Sequence, residues 1–385
     1  MKNLPLKLDN RLQKRKEDDS FRKLLPITKG VDFFSNDYLG FSNSEFITQR
    51  VNKLMSDNNA INGATGSRLL SGNHPVFKKL EDQLSVFHNS PAALIFNSGY
   101  DANLGFFSAV PQKNDIIFYD EYSHASIRDG LKMSLAKSYK FRHNDLQDLQ
   151  EKLSRLSLNN DDSEIYLVTE SVFSMDGDSP DLLQLLQLSE KYNANLVVDE
   201  AHATGVVGNK GQGLVQELEI EHRVFARIHT FGKAMGCHGA VILGSKGLKD
   251  YLVNFSRSLI YTTALPPHTV NTILAAYSYL ETDQTQLKKL KENIRHFKIE
   301  VENNDLKEVF VESDSAIQVC IIKGNSKVKS AAEKLQKNGF NVKPILSPTV
   351  PKGSERLRFC VHSYNYPHEI SEVLKVLGNF AAKNR

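Results

Sequence analysis

From Ala92 onward, short unbroken apolar runs alternate with stretches of helical period. The runs are AALIF (92–96), DIIFYD (115–120), EIYLVTES (164–171), NLVVDEA (195–201), ARIHTF (226–231) and AVILG (240–244). Continuous apolarity of this kind suits strands covered on both faces, as in a parallel sheet between helices. DLLQLLQLSEKY (181–192) places its apolar residues at helical spacing between two of the runs. Alternation of strand and helix over 92–244 predicts an α/β domain with a mainly parallel, doubly wound central sheet. After Pro266-Pro267 the pattern changes. Lysine-rich helical sequence (268–303) leads into KEVFVESDSAIQVCIIKG (307–324), which reads as two strands. A helix (326–338), the strand RLRFCVHS (356–363) and a C-terminal helix follow. Upstream, a mixed-charge helix, a short connection and a strand-like VDFFS end in turn residues 36–40. The expected organisation is therefore an N-terminal arm (1–45), a large α/β domain (46–275) and a smaller C-terminal α+β domain (276–385).

Composition narrows the function classes. The chain has 385 residues, 40% of them hydrophobic, which is ample for a large core. Its 48 basic and 45 acidic residues leave a formal charge of +3. That is too little for general attraction to nucleic acid or anionic membrane. No run of about 18 apolar residues occurs, so no membrane span is expected. The first twenty residues lack the apolar core of a signal peptide. Cys237, Cys320 and Cys360 lie far apart with no C-x-x-C pair. They read as reduced thiols of a cytoplasmic protein, neither a disulfide framework nor a metal site.

Ligands of open α/β sheets bind beyond the carboxyl ends of the strands. The loop after AALIF is Asn97-Ser98-Gly99-Tyr100-Asp101-Ala102-Asn103, opening a helix. Glycine permits close backbone approach and the helix start offers free N–H groups, a ready phosphate cradle, although an ordinary strand–helix connection reads the same. His124, just beyond DIIFYD, either caps the following helix or lays its flat ring on a planar ligand. Ser174 stands in the turn after EIYLVTES. Asp199 ends a buried run, and a carboxylate there must be paired or hydrogen-bonded. Asp199-Glu200-Ala201-His202 also matches the DEAH segment of nucleic-acid-dependent ATPases, but the chain contains no G-x-x-x-x-G-K-[ST] loop. Lys233 follows the run 226–231 between Gly232 and Gly236, and burial would lower its pKa as Schiff-base chemistry requires. Thr230, three residues earlier, could bind phosphate.

A buried lysine, an aspartate upstream of it, a flat ring and a phosphate cradle at one sheet edge together fit pyridoxal 5'-phosphate. The lysine would bind its aldehyde and the aspartate would keep its ring nitrogen protonated. No H-E-x-x-H or clustered His/Cys spacing supports a metal.

The sequence resembles the α-oxoamine synthases, fold-type I pyridoxal-phosphate enzymes that join an amino acid to an acyl thioester with loss of CO2. The motifs occur in order: SNDYLG (35–40), GATGSRLLSGNHPVFKKLE (63–81), NSGYDAN (97–103), DEYSHASIRDG (120–130), TESVFSMDGD (169–178), VVDEAHATGVVG (197–208) and TFGKAMG (230–236). TFGK (230–233), LIYTTALPP (259–267), SAIQ (315–318) and PTVPKGSERLRF (348–359) resemble the biotin-synthesis branch, which uses L-alanine and a pimeloyl thioester of CoA or an acyl carrier protein. The resemblance implies that Lys233 carries the cofactor and moves the α-proton, and that Asp199 pairs with the ring nitrogen. It implies that His202 bonds the phenolic oxygen and that His124 stacks on the ring and helps hold the substrate carboxylate. Gly99, Tyr100, Thr230 and Ser174 would serve the phosphate region. Thr262 and Thr263 would reach the cofactor of a second subunit, since these enzymes are homodimers with shared sites. Arg358 would grip the amino-acid carboxylate, with Arg22, Asn36 and Thr349 also contacting substrate. One departure bears on the acyl chain: Ile345-Leu346-Ser347-Pro348 replaces the branch's common Ile-Arg-Pro-Pro. The alternatives are a sister enzyme using glycine with acetyl-CoA or another amino acid and acyl group, and a non-catalytic partner subunit. The last typically lacks the lysine found here at 233.

Overall fold

The computed structural model describes residues 4–24, 26, 29–57, 61–156 and 163–382. The chain forms two compact units. The larger comprises residues 36–174 and 178–289, and the smaller 1–35, 175–177 and 290–385.

The larger unit is built on a seven-stranded sheet. Its spatial order is Ala92–Phe96, Ala240–Gly244, Ala226–Thr230, Ala194–Asp199, Ile165–Glu170, Ile116–Asp120 and Lys137–Phe141. Ala240–Gly244 runs antiparallel to both of its neighbours, and every other pairing is parallel. Alternate side chains of the pleat feed two cores. Val197 packs with Leu94, Phe106, Ile117 and Ile228 on one face, while Leu196 and Val198 pack with Phe118, Leu149, Leu167 and Leu185 on the other. Both faces are thus apolar, which is why the inner strands read as unbroken runs. Lys137–Phe141 has no such run because it is the sheet's edge, with four of its five residues exposed. The helices start at side-chain caps: Ser98 accepts from the Asp101 amide before Gly99–Ala109, and Asp181 from the Gln184 amide before Leu182–Lys191.

The division between units departs from the expected boundaries. Pro266-Pro267 marks a helix start, Pro267–Thr282, rather than a domain edge. That helix buries Ile273, Leu274, Ala275 and Tyr277 and packs on Glu45–Asp57 and Pro75–Phe87, so it belongs to the larger unit. The division falls instead between 289 and 290, inside Thr285–Asn303. The N-terminal part ends at Ser35, not residue 45, because Val31–Asp32 pairs in parallel with Phe340–Asn341 of the smaller unit.

The smaller unit carries a three-stranded antiparallel sheet, Lys343–Ile345, Arg356–Cys360 and Ile317–Ile321, with helices Asn325–Lys337 and Pro367–Ala382. The two strands expected over 307–324 reduce to one. Lys307–Val309 is a 3-10 turn, and Phe310 makes only an isolated bridge to Cys320. The VDFFS strand shortens to Val31–Asp32.

Asp176 joins this unit through a buried ion pair with Arg356, which also donates to the Met175 and Ser354 carbonyls at 3.1 and 2.8 Å. Removing one partner strands the other charge. The Asp176→Asn variant is expected to lose about 3–5 kcal/mol of stability, measured as a fall in denaturant midpoint at unchanged m-value. Among the described residues, no helix is long and apolar enough to cross a membrane.

Candidate active site

Glu170, Asp199 and Ile228 are register partners on three adjacent parallel strands, so their side chains share one sheet face. All three line a cavity that is completed by Gly99, Tyr100, Asn103, His124, Ser126, Ala201, Thr230 and Lys233. Of the loops singled out from sequence, those after 96, 120, 199 and 230 contribute to this cavity, and the one carrying Ser174 does not.

Lys233 sits in a tight turn after Ala226–Thr230. The Gly236 amide donates to the Lys233 carbonyl at 2.8 Å, and the Cys237 amide to the Phe231 carbonyl at 2.7 Å. Gly236 has φ +61°, and a Cβ there would stand 2.2 Å from the Ser42 nitrogen. Only glycine lets this turn form against the 41–42 backbone. The Cys237 thiol is pushed up to about 12 by burial and by Asp37, so it is no nucleophile at neutral pH.

Asp199 is 6% exposed and has its hydrogen bonds arranged for it. Asn103 Nδ2 donates to Oδ2 at 2.7 Å and the Ala201 amide to Oδ1 at 2.9 Å. Asn103 also donates to Ser126 Oγ at 3.0 Å, while its Oδ1 is buried without a partner. Sequence reading missed Asn103, although it lies four residues after Gly99 and hence on the same helix face.

The capping reading of His124 holds. Its Nδ1 accepts the Ser126 amide at 3.2 Å, capping Ala125–Met133, and its ring also lines the cavity. Burial lowers its pKa, Asp199 opposes this, and Lys233 and Arg128 reinforce it. His202 Nδ1 lies 2.8 Å from Tyr38 Oη, and Tyr38 in turn donates to Asn36 Oδ1 at 3.2 Å. Asn36, expected to touch substrate, is here a brace for Tyr38.

The cradle also takes shape. Helix Gly99–Ala109 opens beside Thr230, whose Oγ1 would lie 3.4 Å from a Cβ on Gly99. This leaves backbone N–H groups and a hydroxyl facing one space, the arrangement that binds phosphate. Tyr100 lines the cavity but commits its hydroxyl to Asp129 Oδ2 at 2.6 Å. Ser174, Thr262 and Thr263 are not among the cavity's lining residues. Asn97 Nδ2 holds the threonine pair, at 3.1 Å from Thr262 Oγ1 and 2.7 Å from the Thr263 carbonyl. Arg22, Thr349 and Arg358 belong to the smaller unit. Arg22 Nη2 donates to Thr349 Oγ1 at 3.3 Å, and Arg358 lies on Arg356–Cys360, 9% exposed.

A second feature escaped the sequence. His143 places Nδ1 2.9 Å from Asp120 and Nε2 2.8 Å from Asp178, and its ring stacks on Tyr122 at 4.3 Å. Burial disfavours its charge, but the bonds to both carboxylates outweigh this and raise its pKa to about 10. A raised histidine contributes stability that is complete below its unfolded value near 6.5 and is lost as pH rises through about 10. The stability gap between the wild type and His143→Gln is therefore expected to be at full size below about pH 6.5, to narrow above it and to close above pH 10. Paired denaturant titrations across that range would show it. A gap independent of pH would contradict the charged state.

Among the described residues no His, Cys, Asp or Glu group is arranged to hold a metal ion. The donor set instead fits a planar phosphorylated heterocycle bearing an aldehyde, with a lysine to capture it and a carboxylate for a ring nitrogen.

Comparison with known proteins agrees. Residues 28–377 match the family model of aminotransferase class I and II. The chain is 39% identical over 386 residues to 8-amino-7-oxononanoate synthase from Emericella nidulans, covering 95% of this chain and 93% of that one. It is 34% identical over 342 residues to the enzyme of the same name from Lysinibacillus sphaericus, covering 89% and 86%. Among solved structures, 8-amino-7-oxononanoate synthase from Francisella tularensis superposes with TM-score 0.78 at 29% identity, covering 92% of this chain and 98% of that one. Sphingomonas wittichii serine palmitoyltransferase superposes with TM-score 0.90 at 26% identity, covering 99% of each.

Proposed function

The chain belongs to the α-oxoamine synthases within aminotransferase class I and II, and from that premise we propose that it condenses L-alanine with a pimeloyl thioester. It is a pyridoxal-phosphate-dependent acyltransferase, and the products in this reading are 8-amino-7-oxononanoate, CO2 and free thiol, a step of biotin synthesis. One observation carries the reading: Lys233 and a hydrogen-bonded, buried Asp199 line one cavity with a helix N-terminus beside Thr230.

Pyridoxal phosphate supplies an aldehyde that captures amines and a ring that withdraws electrons from the substrate α-carbon. The chain does the rest. Lys233 Nζ would hold the cofactor's aldehyde and, as a free amine, would take the α-proton and return one. Asp199 holds a proton at the ring nitrogen, which sets how strongly the ring withdraws electrons. His124 covers the ring and His202 donates to its phenolic oxygen. The amides at Gly99 and Tyr100, with Thr230 and Ser174, bind phosphate. Arg358, Arg22, Asn36 and Thr349 recognise substrate, and Thr262 and Thr263 serve the cofactor of a second subunit in a cytoplasmic homodimer. The acyl donor is a thioester of CoA or of an acyl carrier protein.

A second reading rests on Leu346 and Ser347, which stand where the biotin branch commonly has arginine and proline. It makes the chain a sister enzyme with another acyl group, or one using glycine with acetyl-CoA. The visible spectrum of the purified holoenzyme, titrated separately with L-alanine, glycine and L-serine, separates the two. The greatest perturbation by L-alanine, followed by product formation with pimeloyl thioester, is the expected result. Perturbation by glycine instead would move the assignment to the sister enzyme. The absence of any visible band after addition of pyridoxal phosphate would end both readings.

A further inference from the structure

Glu170 has no role in the chemistry above, yet it lies inside the same cavity. It is 2% exposed, ends the strand beside Asp199 and is that residue's register partner. Two carboxylates side by side in a buried site do not both ionise readily. Their surroundings decide which one keeps a proton. Asp199 receives Asn103 Nδ2 and the Ala201 amide, while Glu170 Oε1 receives the His124 amide at 2.6 Å. Donors stabilise a charged carboxyl, and Glu170 receives one where Asp199 receives two, so Glu170 is the member of the pair less able to carry charge.

We infer that Glu170 is a positioning residue kept as a neutral carboxyl, so that it and Asp199 together present one negative charge to the cavity. This rests on the cofactor reading for its purpose, not for its geometry. One charge matches one protonated ring nitrogen, whereas two would hold the cavity's cation, Lys233, too firmly for it to act as an amine. The groups that bear on Glu170 pull in both directions, and those that raise its pKa prevail. Burial and the negative charges of Asp199 and Asp120 raise its pKa, Lys233 and the His124 amide lower it, and the balance lies at about 8. Glu170 also fixes the backbone of His124, so its neutral carboxyl sets where that ring begins. The sequence carried the residue in plain sight within TESVFSMDGD, but nothing in a run of buried strand residues marks its last member as titratable.

The test uses the full chain freed of cofactor, by infrared difference spectroscopy against pH. The wild type is expected to show the carbonyl stretch of a buried protonated carboxyl at pH 7, fading as pH rises through about 8, and Glu170→Gln to lack it. Should E170Q fail to fold, wild-type protein made with carboxyl-labelled glutamate must shift that band and labelled aspartate must not. Glu200 is also fully buried with its pKa raised by burial, so the band is assigned by difference: a pH 7 carboxyl signal that loses no component in E170Q, or whose component fading near pH 8 follows labelled aspartate, overturns the inference. In the holoenzyme, E170Q is expected to bind pyridoxal phosphate within about threefold of wild type, because amide and neutral carboxyl make similar hydrogen bonds. A loss as deep as that of an Asp199 variant would show that Glu170 works as an anion and overturn it as well. Failure of the cofactor reading looks different: the band stays and pyridoxal phosphate does not bind.

Discussion

The Lys233→Ala variant is expected to lose turnover by at least about 10⁴-fold, the combined contribution of covalent capture and proton transfer. In the proposed mechanism one side chain would supply both, holding the cofactor's aldehyde and, as a free amine, acting as base at the α-carbon. Alanine removes both without disturbing the turn, which is closed by backbone bonds from Gly236 and Cys237 and by the absence of a side chain at 236. The fold and the cofactor's non-covalent contacts should therefore survive. Borohydride reduction of the holoenzyme followed by mass spectrometry gives a readout independent of turnover. Wild-type protein should gain the mass of one reduced cofactor at Lys233, and K233A should gain none while still binding pyridoxal phosphate. Normal turnover in K233A would end the proposed mechanism.

Asp199→Asn is expected to cost about 10²–10³-fold in kcat with a smaller change in KM, the scale of losing one preorganised electrostatic contact to developing charge. An amide fills the same space, and the Ala201 amide can still donate to its oxygen. What it lacks is the anion that holds a proton at the ring nitrogen. A steady-state comparison of kcat with KM for alanine separates this from simple loss of affinity. Equal kcat would leave Asp199 as a structural group. The variant also relieves Glu170 of its charged neighbour, so Glu170 should titrate at lower pH in D199N.

The inner strands were legible because both faces of the sheet are buried, so apolarity marked them without a break. Edge and long-range features were not. Lys137–Phe141 exposes most of its residues and carries no apolar signal. The assignment of Met175–Gly177 and Val31–Asp32 to the smaller unit depends on partners near 340 and 356, which local pattern cannot announce. The site residues divide in the same way. Lys233, Asp199, His124, Gly99 and Thr230 follow strand ends, where an α/β fold places its ligands, and the structure brings them together. Asn103, Glu170 and His143 act through hydrogen bonds to residues distant in sequence, 96 positions away for Asn103 and Asp199. No spacing rule reaches that far.

The antiparallel strand Ala240–Gly244 has a consequence for how the protein is made. Among the described residues it is the only sheet neighbour of Ala92–Phe96, which stands at the sheet's other edge. As the chain leaves the ribosome, the segment 92–96 must wait for residues 240–244 before any backbone partner exists. Closing so long a loop is entropically costly and slow. The loop that begins the phosphate cradle therefore meets Thr230 late, after the parallel strands of the rest of the sheet can already have paired. A nascent chain stalled before residue 240 would expose an unpaired apolar strand, the kind of surface that chaperones bind and that otherwise drives aggregation.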